Sequence, residues 1–379
     1  MQKLDHVDSF KDEYEMFSNF YPITVQYEDV EYPSVEHAFV AAKSNDVLFR
    51  KMVAEIPADE AGAAKRKGRN KKLCKLRPNW DLMKISVMRK LLTQKFGNTK
   101  FRRLLLSTGQ MELIEGNYWH DNYWGDCYCK KCKSIKGQNN LGKLLMKIRF
   151  ELALDYRVLI TGDIHNLFNR LNQLINQKNP DLIICCGDFG FWPLFAGKSG
   201  GIKPLSSIKL QGAEKLLWID GNHEDHWELA KRESDEIEPG IIYMPRGSTY
   251  TLPDGRVILF MGGANSIDKM WRTIGHDWFP EELITQKDFM NLPDCEVDIF
   301  ITHTCPNELV LDLKTQYIGK EWEPSNHALS ELWKIYKPDL WFFGHWHTFL
   351  DITMMGTKCY CLSHPGEGRQ WWMWLPRKR

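Results

Sequence analysis

The chain has 379 residues, of which 43% are hydrophobic and 26% charged, and 50 basic against 49 acidic residues leave a net charge of +1. This composition is that of an ordinary globular protein, and the length is sufficient for two hydrophobic cores. The even charge balance excludes a globally basic nucleic-acid binder, so any contact with a polyanion has to be local. No apolar run reaches the roughly 20 residues that span a bilayer.

The N-terminal segment and the cysteines bear on the cellular compartment. The stretch MQKLDHVDSFKDEYE at the start of the chain lacks the apolar segment of a secretory signal. The ten cysteines include the adjacent pair Cys185 and Cys186 inside an apolar run, where a bridge between neighbours would be strained. Reduced thiols are therefore expected, and with them a cytoplasmic protein that has no membrane partner.

Helical patterns dominate the chain up to about residue 150. Apolar residues recur at three- and four-residue spacing over 35–56, 80–109 and 141–152, which predicts helices. Only ITVQYEDVEY, residues 23–32, alternates like a pair of strands joined by a tight turn. The sequence therefore predicts a mostly helical first domain over 1–152.

The pattern of apolar residues changes near residue 155, where short apolar runs begin to alternate with predicted loops and helices. Continuous apolar runs are what strands buried on both faces require, and LPDGR at 252–256 reads as a hairpin turn. We expect an α/β domain over 155–379 with mixed β-sheets flanked by helices, directly adjoining the first domain. The runs are RVLITGD, DLIICCGD, KLLWIDGN, RVILFMGG, DIFITHT and LWFFGHWH.

All but one of these runs end in side chains that bind metals. In open α/β sheets the loops after the strands converge on one edge, so five sets in register with five strands indicate a dinuclear metal site. A single histidine in such a place would more often be structural. Mixed imidazole and carboxylate ligands suit borderline divalent metals and not calcium. The residues are Asp163, His165, Asp188, Asn222, His223, His303, His345 and His347.

The motifs GDIH, GDFG, GNHE, THT and GHWH carry these residues, and in them the chain resembles the calcineurin-like metallophosphoesterases. The resemblance implies one metal held by Asp163, His165, Asp188 and His347, and a second held by Asp188, Asn222, His303 and His345. Asp188 would bridge the two ions, which are manganese, iron or zinc in the family. His223 is not a ligand in the family and would protonate the leaving oxygen or stabilise charge on the phosphoryl group. Such a pair of ions activates water for attack on a phosphate ester.

Two aromatic or basic stretches bear on the substrate of this site. In GDFGFW, we expect Phe189, Phe191 and Trp192 to give the site an aromatic rim, suited to a nucleotide base or to the exclusion of water. The loop 262–279 is expected to wall the pocket, with Arg272 and His276 available for phosphate. A purely structural role for each of these residues is the alternative.

The first domain contains a second ordered set of motifs: FSNFYP, YPSVEHAFVAAK, GRNKKLCKLRPNW, NYWGD and GQNNLGKLLMKIR. In these the chain resembles the NADAR family, which includes riboflavin-biosynthesis-intermediate N-glycosidases. The resemblance implies a mostly helical α+β fold and cleavage of N-glycosidic bonds in phosphoribosyl or ADP-ribosyl compounds. Glu36 matches the catalytic glutamate, and Trp80 and Asp126 match other active-site positions. The alternative for Glu36 is a structural role, because the helix dipole favours an acidic residue in the first turn of a helix.

Other residues of the first domain are candidates for substrate contacts. Trp119, Tyr123 and Trp124 can stack on a base or a ribose, although tryptophan is also an ordinary core residue. The basic run KRKGRNKKLCKLR, residues 65–77, is either a solvated face or a phosphate site formed by Lys65, Arg66 and Arg69. The same patch would attract the backbone of an ADP-ribosylated nucleic acid.

The densest stretch is NYWHDNYWGDCYCKKC, residues 117–132. Its first ten residues are expected to form the lip of the first pocket. One interpretation is a structural zinc ion bound by Cys127, Cys129 and Cys132 together with His120. The alternative is that the cysteines remain reduced thiols, because no fourth ligand follows at a standard spacing.

These observations predict a bifunctional hydrolase that joins an N-glycosidase to a metal-dependent phosphoesterase, both acting on small phosphorylated ribose or nucleotide substrates. The competing interpretation makes the first domain a binding module for ADP-ribose or modified nucleic acid, which guides a nuclease-like second domain. The sequence does not choose among phosphomonoester, diester and pyrophosphate substrates.

Overall fold

The computed structural model describes residues 6–132, 134–197, 201–310 and 323–378. The chain divides into two compact units, one up to Asp155 and one from Tyr156 onward. No helix among the described residues has the length and apolar character to cross a membrane.

Among its described residues, the first unit contains six short strands and six helices. Two 3₁₀ turns, at 12–17 and 58–60, connect some of them. The strands are β1 (His6–Val7), β2 (Pro22–Tyr27), β3 (Val30–Ser34), β4 (Glu112–Leu113), β5 (Gly116–Asn117) and β6 (Asp126–Cys127), and the helices are α1 (Val35–Ala42), α2 (Val47–Ala54), α3 (Ala61–Arg69), α4 (Trp80–Gly97), α5 (Thr99–Ser107) and α6 (Asn140–Leu154).

The predicted hairpin over residues 23–32 is confirmed, because β2 and β3 pair antiparallel with Tyr27 opposite Val30. Two of the predicted helical stretches each form two helices. Asp46 accepts the N–H groups of Leu48 and Phe49 and so caps α2, and Asn98 caps α5 through the Lys100 N–H. Such side chains compete with the helical backbone and start a new helix where periodicity alone predicts continuation.

The core of the first unit forms around α1, every residue of which is buried. It gathers Phe17 from the first 3₁₀ turn, Phe39 from α1, and Leu91 and Phe96 from α4. A helix made of VEHAFVAA is apolar on most sides and is therefore stable only where other elements cover it. Its two polar residues, Glu36 and His37, are buried with the rest.

The second unit contains twelve strands and five helices among its described residues. Three 3₁₀ turns lie at 205–207, 269–271 and 280–282. The strands are β7 (Val158–Thr161), β8 (Leu182–Cys185), β9 (Lys215–Trp218), β10 (Glu236–Glu238), β11 (Ile241–Tyr243), β12 (Thr249–Thr251), β13 (Val257–Met261), β14 (Ile299–Thr302), β15 (Leu340–Phe343), β16 (Leu350–Met354), β17 (Thr357–Cys361) and β18 (Trp372–Trp374), and the helices are α7 (Phe168–Lys178), α8 (His226–Ala230), α9 (Gln286–Phe289), α10 (Asn307–Val310) and α11 (Pro324–Tyr336).

These strands form two six-stranded mixed sheets, in the orders β10-β11-β9-β8-β7-β18 and β12-β13-β14-β15-β17-β16. The strands in the middle of each sheet run parallel, and antiparallel strands lie at the edges. The hairpin predicted at LPDGR is confirmed, because β12 and β13 pair antiparallel across it. Gly255 turns the chain there with a φ of +87°.

The continuous apolar runs are explained by a four-layer arrangement of helix, sheet, sheet and helix. Alternate residues point to opposite faces of a strand. Ile160 and Ile184 of one sheet therefore pack against residues such as Phe260 of the other. The outer face of the first sheet packs on α7, and the outer face of the second packs on α11. The predicted α/β class with mixed sheets flanked by helices is confirmed.

Candidate functional site

The carboxyl ends of the central strands bring the predicted metal ligands to one edge of the two sheets. Asp163 and His165 follow β7, Asp188 follows β8, and Asn222 follows β9. His303 follows β14, and His345 and His347 follow β15. The residues at the centre, Asp163, Asp188, Asn222 and His303, are all at least 95% buried.

One cluster brings Asp163, His165, Asp188 and His347 together. His347 Nε2 lies 3.3 Å from Asp163 Oδ2, and His165 Nε2 lies 3.4 Å from Asp188 Oδ2. The two histidine nitrogens themselves are 3.2 Å apart. One ligand atom from each of the four residues lies within 4.8 Å of the other three.

A second cluster contains Asp188, His303 and His345, with the Asn222 amide between them. His303 Nε2 lies 3.2 Å from Asp188 Oδ1 and 3.2 Å from Asn222 Oδ1. His345 Nδ1 lies 3.0 Å from Asn222 Oδ1. Asp188 therefore belongs to both clusters, with Oδ2 toward the first and Oδ1 toward the second.

The spacing of the ligand atoms fits divalent metals. Nitrogen and oxygen ligands at about 2.0–2.2 Å from an ion lie about 3.0–3.5 Å from one another. The rings are also oriented for binding, because His303 Nδ1 lies 2.8 Å from the Cys186 carbonyl oxygen and His347 Nδ1 lies 3.0 Å from Glu367 Oε1. A histidine that donates from one nitrogen presents the lone pair of the other to a metal.

The electrostatics of the clusters also call for cations. Burial lowers the pKa of His345 to about 3 and that of His165 to about 4, which keeps both imidazoles neutral as metal ligands must be. Burial also acts to lower the pKa of His303, but Asp188 and Asp163 outweigh it and raise the value to about 10. Two buried carboxylates thus need positive charge, which divalent ions supply.

The backbone is strained where it presents these ligands. His165, Asp188, His345 and His347 have φ values of +44°, +43°, +66° and +46°. Non-glycine residues in this region cost of order 1–3 kcal/mol each and cluster at functional sites. Glycines give the ligands room: a Cβ on Gly221 would lie 2.1 Å from Asp188 Oδ1, and one on Gly344 would lie 2.0 Å from Asp163 Oδ1.

The Asn222 amide is fixed by a chain of hydrogen bonds. Its Nδ2 donates to Ser266 Oγ at 3.1 Å, and the Ser266 hydroxyl donates to Glu282 Oε2 at 2.7 Å. Trp278 Nε1 donates to the other oxygen of Glu282 at 3.0 Å. Because the amide nitrogen is engaged in this way, Asn222 turns its oxygen toward His303 and His345.

The first unit has a buried carboxyl group at Glu36, in the first turn of α1, where it is 7% exposed. Its backbone N–H donates to the Asn19 carbonyl at 2.9 Å. Burial raises the pKa of Glu36, and the negative charge of Asp121 raises it further, whereas Lys65, Lys43 and Arg69 oppose the shift. A carboxyl group in such surroundings is typical of functional sites.

Aromatic rings surround this region of the first unit. The Phe39 ring lies 5.2 Å from Trp80 and 5.3 Å from Trp124. Tyr123 packs edge-on against Trp124 at 5.1 Å, and Lys84 Nζ lies 3.9 Å from the centre of the Tyr123 ring. Phe39 is one turn of α1 away from Glu36, so the helix joins the carboxyl group to these rings.

The family comparisons agree with this division into two units. The sequence pattern of the calcineurin-like phosphoesterases matches residues 156–349, and that of the NADAR domain matches residues 6–153. The N-glycosidase YbiA of Shigella boydii is 37% identical over 152 residues, which are 39% of this chain and 87% of that protein. The chain belongs to both families.

Two further relatives match the NADAR domain. The N-glycosidase Npun_R5314 of Nostoc punctiforme is 36% identical over 147 residues, 37% of this chain and 86% of that protein. The solved structure of Escherichia coli YbiA is 34% identical and covers 41% of this chain and 92% of its own, with a TM-score of 0.34. Both families consist of hydrolases, so the chain is an enzyme that combines a NADAR domain with a phosphoesterase domain.

The predicted aromatic rim of the phosphoesterase site is wrong for two of its three residues. Phe189 stacks on Trp218 with the ring centres 4.9 Å apart, and Phe191 lies 5.7 Å from the same ring. Both are at least 98% buried in the core beneath α7, where a phenyl ring gains more than at a hydrated edge. Trp192 is half-buried and packs near Phe195 and Phe279.

Of the two residues predicted from the loop 262–279, one contacts the phosphoesterase site. Arg272 Nη2 lies 2.9 Å from His223 Nε2, and the backbone N–H of His223 donates to Asp188 Oδ1 at 2.9 Å. His276 is exposed and contacts the Phe195 ring. Arg272 and His276, which the sequence left equivalent, therefore lie in different surroundings.

The remaining residues proposed for the NADAR pocket have different surroundings. Trp119 is 52% exposed. The Asp126 carboxylate accepts the Gly137 N–H at 2.7 Å and closes the loop that contains it. Of the basic run, Lys65 and Arg69 act electrostatically on Glu36, whereas Arg66 approaches Gly62 one turn earlier in α3.

Several functional candidates escaped the sequence analysis. In the NADAR domain, burial raises the pKa of Glu115 to about 7. Lys65 acts to lower this pKa, and the negative charges of Asp121 and Glu36 act to raise it. In the phosphoesterase domain, His364 stacks on His347 with ring centres 5.3 Å apart. A signal for His364 existed, because it follows β17 just as the other histidines follow their strands. Glu115 and Asp121 have no such signal in the sequence.

Proposed function

We propose that the NADAR domain cleaves the N-glycosidic bond of a phosphoribosyl or ADP-ribosyl compound, and that the phosphoesterase domain hydrolyses a phosphate ester with two divalent ions of manganese, iron or zinc. The shared position of Asp188 in both ligand clusters is the observation that supports the second activity. The buried carboxyl group of Glu36 beside aromatic rings and cations supports the first.

In the glycosidase reaction, the leaving base takes the bonding electrons and the sugar develops positive charge at the anomeric carbon. Glu36 is the group that stabilises this charge or activates the attacking water. Because burial disfavours the isolated carboxylate, its interaction with a cationic sugar is stronger than the same interaction in water. Asp121 adds negative charge to the same region.

Phosphate recognition in the NADAR domain falls to its cations. Lys43, Lys65 and Arg69 come from α3 and the end of α1, and all three act on Glu36. They would bind the phosphate of the substrate by charge-assisted hydrogen bonds. The rings of Trp80, Tyr123 and Trp124 provide stacking surface for the base or ribose.

In the phosphoesterase domain, the residues of the two clusters would hold the ions, with the Asp188 carboxylate as the bridging ligand. When bound, such a pair of ions polarises phosphoryl oxygens and lowers the pKa of water. His223 and Arg272 provide an imidazole and a guanidinium in contact with each other for the phosphoryl group and the leaving oxygen, and the charge of Asp188 acts on His223. The two activities suit one sequence of reactions, in which the product of one site is a substrate for the other.

The experiment that tests both assignments uses the full chain and two substitutions. Glu36→Gln should abolish base release from a panel of phosphoribosyl and ADP-ribosyl N-glycosides while hydrolysis of p-nitrophenyl phosphate or its diester survives. Asp188→Asn should have the opposite effect. The matched controls are Glu31→Gln and Asp235→Asn, at two exposed positions.

Each result has a definite reading. If Glu36→Gln leaves base release intact, the glycosidase assignment is wrong. If the wild-type chain binds ADP-ribose tightly but releases no base from any substrate, the NADAR domain is a binding module. If Asp188→Asn leaves phosphoesterase activity intact, the dinuclear site is not the catalytic centre.

A further inference from the structure

The segment between β5 and α6 of the NADAR domain, which includes β6, brings one imidazole and three thiols together. His120, Cys127, Cys129 and Cys132 each offer one ligand atom within 4.8 Å of all the others. His120 Nδ1 lies 3.2 Å from Cys129 Sγ and 3.3 Å from Cys132 Sγ. The fourth ligand that the spacing of the cysteines did not provide is thus supplied by His120, from the preceding turn.

We propose that these four residues bind one zinc ion with tetrahedral Cys₃His coordination. In such a site, zinc–sulfur bonds of about 2.3 Å and a zinc–nitrogen bond of about 2.0 Å place the ligand atoms about 3.5–3.8 Å apart. The distances from His120 to its two thiols are within a few tenths of an ångström of this value. Soft thiolates select zinc over the oxygen-seeking magnesium and calcium.

Several details of the loop match those of a structural zinc site. Cys129 and Cys132 are joined by a tight turn, in which the Cys132 N–H donates to the Cys129 carbonyl at 3.0 Å. The His120 N–H lies 3.3 Å from Cys127 Sγ, and hydrogen bonds of this kind support a ligand thiolate from outside the metal shell. His120 holds a φ of +68°, a strained conformation that the ligand bond would offset.

A disulfide is the competing fate of such thiols, but it would leave half of the cluster unused. All three cysteines are free. A disulfide would use two of them and leave His120 beside a single thiol. Zinc uses all four groups. Lys130 and Lys131 lie between Cys129 and Cys132 in the sequence, where two positive charges would offset the excess negative charge of a zinc ion with three thiolates.

The ion would fix the segment that forms the lip of the glycosidase pocket. His120 precedes Asp121, whose carboxylate accepts the N–H groups of Tyr123 and Trp124 at 3.2 and 2.9 Å. The Cys127 N–H donates to Asn122 Oδ1 at 2.9 Å. The four ligands therefore bracket Asp121–Trp124. The effect on catalysis rests on the proposed glycosidase function, whereas zinc binding does not.

Cobalt substitution tests the site directly in the full-length protein. Protein that has been stripped by a chelator and reloaded with Co²⁺ should show a near-ultraviolet thiolate-to-cobalt absorption band. The phosphoesterase clusters contain no cysteine, so Asp188→Asn should retain the band. Cys129→Ser should weaken it by about one third, because two of three sulfur ligands remain. Cys295→Ser, at an exposed cysteine, is the control.

Alkylation adds a measurement that needs no variant. Zinc should protect Cys127, Cys129 and Cys132 from a maleimide and slow amide exchange over residues 117–132 at least tenfold relative to the stripped protein. The proposal is overturned if the wild type shows no thiolate–cobalt band, if Cys129→Ser leaves the band unchanged, or if mass spectrometry recovers two of these cysteines as a disulfide. If the wild-type protein shows the cobalt band but releases no base from any N-glycoside, only the glycosidase assignment is wrong.

Discussion

Arg272 Nη2 lies 2.9 Å from His223 Nε2, so a guanidinium from the loop 262–279 donates to the imidazole that follows Asn222. Arg272 also pairs with Asp268 at 2.8 Å. Because arginine is always a donor, His223 accepts at Nε2 and is neutral in this arrangement. Burial and Arg272 both lower the pKa of His223, and Asp188 opposes them.

The Arg272–His223 contact predicts the effect of removing the guanidinium. Arg272→Gln should lower kcat/KM of the phosphoesterase about 10- to 100-fold, because a cation beside the transferring phosphoryl group is lost. Metal content should stay at the wild-type level, since Arg272 belongs to neither ligand cluster. Arg170→Gln, at an exposed position on α7, is the control. A variant with full activity would remove Arg272 from the site.

The hydrogen-bond chain behind Asn222 gives a second prediction. Ser266→Ala removes the acceptor of the Asn222 amide nitrogen, so the amide is free to rotate its oxygen away from the second cluster. The affinity for the more weakly bound metal should fall about tenfold or more, as for other outer partners of metal ligands. Metal titration of the stripped protein measures it, with exposed Ser206→Ala as the control. Unchanged affinity would show that Asn222 is held by other contacts.

The positions of the proposed metal ligands could be predicted from the sequence because they follow from the topology of the sheets. Each follows a buried strand, and the carboxyl ends of parallel strands meet at one edge. The sheet therefore determines the position of Asp188 or His303 almost independently of its neighbours. The supporting residues obey no such rule: Ser266 reaches Asn222 from the loop 262–279, and Glu282 holds Ser266 from the 3₁₀ turn that follows.

The two wrong rim residues show the limit of reading aromatic side chains in a loop. Phe189 and Phe191 flank Gly190 directly after a metal ligand, yet both pack on Trp218 in the core. Alternation places neighbours on opposite faces only while the chain is extended. Here Asp188 and Gly190 both have positive φ, so the spacing of the rings in the sequence no longer indicates their direction.

Lys43 at the end of α1 carries a prediction for the NADAR domain. Burial lowers the pKa of Lys43, and the negative charge of Glu36 acts to raise it. Lys43→Gln should raise KM for a phosphorylated N-glycoside about tenfold with a smaller change in kcat, because a phosphate contact worth about 1.4 kcal/mol is lost. Steady-state kinetics measure this against exposed Lys71→Gln. A tenfold fall in kcat with an unchanged KM would instead indicate that Lys43 acts in the chemical step.

Glu115 predicts a pH-dependent stability of the NADAR domain. Its pKa is raised from 4.5 to about 7 in the folded protein, mainly by burial. The folded state therefore binds a proton more tightly than the unfolded state, and stability falls as the pH rises from about 4.5 to 7. Glu115→Gln should raise the free energy of unfolding by about 1–3 kcal/mol at pH 8 and by little at pH 4.5.

The measurement has to separate this domain from the other. Hydrogen exchange in urea, read on peptides of α4, follows the NADAR core at each pH. Lys95 will offset part of this increase in the free energy of unfolding. Burial lowers the pKa of Lys95 to about 7, and the charge of Glu115 acts to raise it. Exposed Glu112→Gln is the control. A variant that is less stable at pH 8 would contradict the raised pKa of Glu115.

The central claim is that Asp188 joins two ligand clusters that hold a pair of divalent ions. Anomalous diffraction from crystals grown with manganese tests it most directly. We predict two manganese peaks about 3.5–4 Å apart, one beside Asp188 Oδ2 among Asp163, His165 and His347, and the other beside Oδ1 among Asn222, His303 and His345. A single peak, or none within bonding distance of Asp188, would contradict the account.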